Sequence, residues 1–189
     1  MQPHHALPGF HPFPSPRTGI LRTLSSLLVI HPLSGAAVTE VNHRDSTTTG
    51  IEIFWIKDGR LRIATEGSIY NLSGGMICLV PPGHPRRSVI YEGVTGYYLY
   101  LSLGLLQEMD DNPAISLLYA SVCCSPSPFV IKIENDLRLA QEVLGLMQCM
   151  LRDLVARDID IIRSYLKIFL LYMSRSASLS SGVSVLPSC

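Results

Sequence analysis

The sequence carries no surplus of charge: fifteen Lys and Arg stand against fifteen Asp and Glu, for a formal net charge of zero. Proteins that grip nucleic acid neutralise phosphates with a basic excess, and neither an overall excess nor a Lys/Arg-rich run is present. DNA binding by this chain alone is therefore not expected. Long apolar runs are missing too. The oiliest stretches, Leu27 to Ile30 and Ile168 to Met173, fall far short of the roughly 20 apolar residues a membrane-spanning helix requires. The opening Met1-Gln2-Pro3-His4-His5 lacks the charged-then-apolar layout of a secretory signal. The expectation is a soluble, cytoplasmic chain without membrane contact. Cysteine is sparse and unpatterned. Cys78, Cys123, Cys124, Cys149 and Cys189 are odd in number, irregularly spaced and contain no Cys-x-x-Cys, which argues against a disulfide framework and against a zinc knuckle. The adjacent Cys123 and Cys124 read as ordinary reduced thiols, with a redox-active pair as the alternative.

What is present suits one domain with tails. A chain of 189 residues buries about 70% of its unfolded surface, so it needs neither metal nor disulfide to fold. Residues 1–23 form a proline- and histidine-rich leader without hydrophobic period, expected to be flexible. Residues 24–133 read as β. Short β-branched or aromatic runs, including Ile51–Lys57, Arg60–Thr65, Met76–Val80, Ser88–Tyr91 and Gly96–Leu103, are cut by Gly, Pro, Asn and Asp at regular intervals, as in an all-β barrel. Asp58-Gly59 suits a two-residue type I′ hairpin turn. That register sets Ile56 against Leu61, Phe54 against Ile63 and Glu52 against Thr65 on one inward face. The other face, with Trp55 beside Arg62, is expected to be half covered, with surface packing as the plainer reading and a cation–π pair worth about 0.5–1 kcal/mol as the alternative.

Beyond Leu103 the text is irregular, with a short helix around Ala114 to Val122. Asn135-Asp136 then caps a helix to about Leu154, with Leu137, Ala140, Leu144, Met147, Leu151 and Leu154 as its apolar stripe. Asp158 caps a second helix to about Arg175. The two make an antiparallel pair over residues 134–175. Ile162, Leu166, Phe169 and Met173 form a stripe on the second helix, and Leu170 widens it. A helix apolar nearly all round needs cover on two sides, so these five residues are the expected interface of a homodimer. Residues 176–189 are Ser-rich and expected to be disordered.

Several groups of residues then carry a resemblance. Glu52 followed after six residues by Gly59 resembles the end of the first cupin motif, H-x-H-x(3,4)-E-x(6)-G. Gly75, Pro81 and Gly83 are spaced as in the second, G-x(5)-P-x-G-x(2)-H. The run Ile53-Phe54-Trp55-Ile56-Lys57-Asp58-Gly59, then Tyr70-Asn71-Leu72, then Val80-Pro81-Pro82-Gly83, resembles the N-terminal sensor domain of AraC-type transcriptional regulators. Gly96 to Leu101 resembles the strand that follows there, and Arg163 to Leu171 the helix that precedes the DNA-binding part. The resemblance implies a cupin-like jelly-roll barrel followed by helices, a small-molecule effector such as a sugar or an organic acid, and subunit pairing. A helix-turn-helix part would need many further residues, and none is expected in this chain.

The departures sharpen the functional expectation. The positions of the paired cupin histidines, near Ser46 and Thr48 or Asp45 and Thr47, hold no His, and Arg86 occupies the last one. Transition metals need such nitrogen donors, so no metal, no other cofactor and no catalytic residue is assigned. Glu52 and Arg86 are the polar residues expected inside, as an ion pair or as a ligand site in which Arg86 forks a carboxylate or hydroxyls. Phe54 and Ile63 join them as candidate ligand contacts. Tyr98, Tyr100 and Ser102 share one strand face that either lines the same cavity or lies beneath the helices. The leading reading is an effector-binding and dimerisation domain. The alternatives are a metal-free cupin enzyme using Glu52 as acid or base, which lacks a positioned partner, and a solid-packed dimerisation module.

Overall fold

The computed structural model describes residues 27–34, 39–42, 49–65, 68–84, 86–109, 112–133, 137–156 and 159–180, and for 39–42, 86–92, 137, 154–156, 159 and 177–180 it describes the backbone only. The leader, the positions from Asp45 to Thr48, the expected caps Asn135, Asp136 and Asp158, and residues 181–189 lie outside the described residues. The strands are β1 Leu28–Ser34, β2 Thr39–Asn42, β3 Gly50–Thr65, β4 Ile69–Ser73, β5 Met76–Val80, β6 Arg86–Ser102 and β7 Phe129–Lys132. The helices are α1 Leu103–Gln107, α2 Pro113–Cys123, α3 Leu137–Ala156 and α4 Ile159–Ser180.

All strand pairs are antiparallel. The sheet runs β1-β6-β3-β5-β7, with β2 on the far half of β6 and β4 on the far half of β3. β3 and β6 are therefore the spine, 16 and 17 residues long. Each was expected as two strands, and the reason for the difference is local. Asp58-Gly59 does not turn the chain back. The pairing of β3 with β6 slips between Ile56 and Asp58 and again between Asp58 and Arg60, with Gly59 at φ 82°. Extra residues of this kind bend a strand without ending it, and a bent spine lets one sheet curl into a barrel. The Thr95 hydroxyl donates to Asp58 Oδ2 at 3.1 Å across the bend.

The two faces of the sheet hold two cores. Phe54, Ile56, Leu61, Ile63, Leu72, Cys78, Val80 and Val94 fill the barrel. The expected inward face thus holds, through bulges instead of a hairpin. Its partners differ: Phe54 pairs with Cys78 and Tyr98, and Ile63 with Tyr70 and Val89. Ile51, Ile53, Trp55, Leu79, Leu99 and Leu101 face the other way and pack under the helices. The half-covered face is corrected accordingly. Trp55 is buried and stacks on Tyr97, ring centroids 5.6 Å apart, while Arg62 is exposed and pairs with Asn71 and Ile90. No Trp55–Arg62 pair forms.

Ser102 caps α1, accepting from the Leu105 N–H at 3.2 Å, and Asn112 caps α2 through Ala114 N–H at 3.0 Å with Pro113 in the first turn. Side-chain oxygens at these positions satisfy amides the helix leaves open. α3 and α4 pack together. Glu142 beside Tyr172 and Arg152 beside Tyr165 make them antiparallel. The buried side of α3 is Val143, Met147 and Met150, rotated from the expected stripe, of which Ala140, Leu144 and Leu151 are half-buried. α4 runs on to Ser180, past the expected start of the tail, with Ser176 buried and the Ser174 hydroxyl bonded to Ala114 O at 3.1 Å. Serine is only a middling helix former, and the packing of Ser174 and Ser176 supports the helix where they stand.

The expected dimer interface also needs correction. Ile162, Leu166, Phe169, Leu170 and Met173 are 0–3% exposed within the single chain, in the core shared with the sheet, α2 and α3. The second cover that α4 requires comes from its own chain. Its outward side instead presents Ile161 and Ile168, 40% and 41% exposed.

Candidate functional site

Antiparallel register places side chains in rows across the inner face. One row is His31, Tyr98, Phe54, Cys78 and Val130; the next is Val29, Tyr100, Glu52 and Val80. Glu52 is fully buried. The Tyr98 hydroxyl donates to its Oε1 at 2.7 Å, a distance typical of a hydroxyl held by a carboxylate. The Tyr98 ring tilts against Phe54, centroids 5.1 Å apart. Burial pushes the Cys78 thiol up to about 12, with the neighbouring Glu52 charge adding to the rise. Burial lowers the pKa of His31, half-buried at the end of the first row.

The structure thus brings together Glu52, Phe54 and Tyr98, with Ile63 in the same core cluster. Tyr98 and Tyr100 face inward, which decides between the two positions open to them. The Tyr100 hydroxyl lies 3.2 Å from the Thr49 hydroxyl at the exposed rim. Arg86 opens β6 opposite Thr65; its side chain lies outside the described residues. Thr65, the expected partner of Glu52, is engaged locally through Ser68 O at 3.1 Å. Sequence reasoning missed His31 and Cys78. Their signal was the alternation Leu28-Val29-Ile30-His31, where Leu28 and Ile30 turn to the helices and so send His31 inward, and the Phe54–Cys78 pairing, which needed the strand order.

The opposite face has a different character. A void of about 10 Å³ lies between sheet and helices, walled by Ile53, Leu79, Leu118, Leu170 and other apolar groups. It has room for one water at most, and its walls offer that water almost nothing polar. Among the described residues, no group of three or more His, Cys, Asp or Glu comes together in a way that could hold a metal ion, and no helix is long and apolar enough to cross a membrane.

The stretch that builds this bent antiparallel barrel and the helices behind it matches a known family along most of the chain. The family model described as AraC-like ligand binding domain matches residues 36–164. This chain belongs to that family. Its fold is the cupin-like jelly roll with C-terminal helices. The same AraC-like fold appears in apo ToxT K231A from Vibrio cholerae strain SCE256, with a TM-score of 0.52 at 14% identity over 86% of this chain and 58% of that one. Unsaturated fatty acid-bound wild-type ToxT from that strain gives 0.47 at 16% identity over 81% and 55%. The AraC-like transcriptional activator CuxR gives 0.48 at 11% over 90% and 66%. This AraC-like domain therefore spans little more than half the length of those ToxT chains. No curated protein matches the sequence.

Proposed function

We propose that this chain is the effector-binding domain of an AraC-type regulator, taking a small polar molecule, a sugar or an organic acid, into the barrel. The observation that carries the reading is Glu52, fully buried yet hydrogen-bonded by Tyr98 at 2.7 Å on the inner face. Burying a carboxylate is costly unless donors hold it, and a polar guest is one source of donors. Phe54 and Ile63 would supply apolar contact, Tyr98 and Tyr100 hydroxyls, and Arg86 a forked cation. The regulator would act in the cytoplasm as a homodimer, paired through the outward side of α4 at Ile161 and Ile168. DNA contact would belong to another part of the regulator, since net charge here is zero. The family is a regulatory ligand-binding domain, which favours binding over catalysis by Glu52.

A thermal-shift screen of sugars and organic acids tests this, because a ligand bound only by the folded state raises Tm. The expected result is a hit whose shift disappears in Glu52→Gln. If no compound shifts the chain and Glu52→Gln only lowers its Tm, Glu52 and Tyr98 are structural and the barrel is a packed core.

A further inference from the structure

Cys123 and Cys124 close α2, and effector binding makes no use of them. Cys123 is the last helical residue, and Cys124 caps it with φ −88° and ψ −3°, still in the helical region. Cys123 is half-buried against the core that Leu118 and Val122 enter, whereas Cys124 is exposed. Both thiols are free, and they are near enough to sense each other. Burial pushes the Cys123 thiol up, a hydrogen bond with Tyr119 opposes that, and the Cys124 charge adds to it. Cys78 on β5 and Cys149 on α3 stand on other elements.

Adjacency at a helix end restricts what two thiols can do. Consecutive Cα atoms are about 3.8 Å apart, below the roughly 4.4–6.8 Å over which disulfides usually form. A direct S–S bond would require the last turn of α2 to come apart. That turn is anchored: Cys124 N–H reaches Ala120 O at 3.0 Å, and Val122 is 1% exposed. A bridging atom removes the conflict, because each sulfur then meets the bridge instead of the other sulfur. Soft thiolates select soft centres.

We propose that Cys123 and Cys124 form a chelating site for a trivalent arsenical. The exposed Cys124 meets it first, and the half-buried Cys123 closes the ring. With an arsenoxide, R–As=O, two S–As bonds form and the arsenic–oxygen bond breaks. The two thiol protons leave with that oxygen as water. Arsenic stays trivalent and neither sulfur is oxidised, so the step requires no oxidant. The adduct staples the C-terminal turn of α2 without unwinding it.

The test treats the reduced chain with phenylarsine oxide under excess mercaptoethanol, followed by intact mass and peptide mapping. One adduct per chain is expected on the peptide holding both cysteines, resistant to the monothiol and stripped by dimercaptopropanol. It should be lost in Cys124→Ser, whose exposed position leaves folding intact by circular dichroism, and unchanged in Cys149→Ser and Cys189→Ser. A monothiol-resistant adduct that survives in Cys124→Ser, or a wild-type adduct that mercaptoethanol removes, overturns the proposal. So does a Cys123–Cys124 disulfide formed by oxidised glutathione, which would make the pair a redox couple.

Discussion

A carboxylate with no solvent access depends on its donors, and for Glu52 one of them is the Tyr98 hydroxyl. Tyr98→Phe keeps the ring against Phe54 and deletes only that bond. Hydrogen bonds to charged groups are worth about 1.5–3 kcal/mol, so urea unfolding should report a loss of that size; an unchanged midpoint would mean other donors hold Glu52 alone. His31 and His84 provide a second residue-scale test. Burial lowers both pKa values below the unfolded value of 6.5. Between the folded and unfolded values the unfolded chain holds more protons, so stability rises with pH across that window. It is complete above about 6.5 and is lost as pH falls through the folded value. Urea midpoints should therefore drop as the pH is lowered through about 6.5, and His31→Asn with His84→Asn should flatten the drop. Of this site, Glu52, Phe54 and Tyr98 were legible from motif position and strand period. His31 and Cys78 were not, because their place beside Glu52 depends on which strands pair, a long-range fact that periodicity does not encode.

The elements were legible as runs but not as connections. Five positions separate Ile56 from Leu61, an odd number that a regular strand would send to opposite faces. A two-residue hairpin restores a common face, and so does a single extra residue in β3, here between Ile56 and Asp58, the second slip adding its residue to β6. Gly59 with positive φ serves both. The sequence therefore fixes the face while leaving the topology open, and the choice falls to β6, whose own breaks at Gly93 and Gly96 lie opposite. At Gly96 a Cβ would stand 2.0 Å from the Trp55 carbonyl oxygen, a backbone atom that cannot swing away. Gly96→Ala should cost on the order of 2 kcal/mol or more. Gly104, exposed in α1 with nothing within 4 Å of a Cβ, provides the contrast. Gly104→Ala should raise stability by about 0.5–1 kcal/mol, since only helix propensity changes. Denaturant titration of both variants tests whether close approach, and not glycine content as such, shapes the bend.

At the scale of the whole molecule the question is how much of α4 the fold itself covers and whether any side is left for a second subunit. The apolar breadth of this helix was legible in the sequence, but its assignment to a dimer was not. Composition shows how much surface needs cover and cannot say whether the cover comes from the same chain. In the structure Phe169 is fully buried and Leu170 is 3% exposed, while Ile161 and Ile168 remain at 40% and 41%. Two substitutions on neighbouring positions should thus part company. Phe169→Ala opens a cavity in the core and should cost about 3–5 kcal/mol, seen as a lower urea midpoint at every protein concentration. Ile168→Glu lies outside the buried core and should change monomer stability by no more than about 0.5 kcal/mol. If the outward side of α4 pairs subunits, Ile168→Glu should instead weaken association, read by light scattering over a dilution series, because a charge introduced into an apolar contact must be desolvated for the contact to form. A wild-type chain that scatters as a monomer at all concentrations, or a dimer indifferent to Ile161→Glu and Ile168→Glu together, would move the interface away from α4 and leave this helix with a purely intramolecular task.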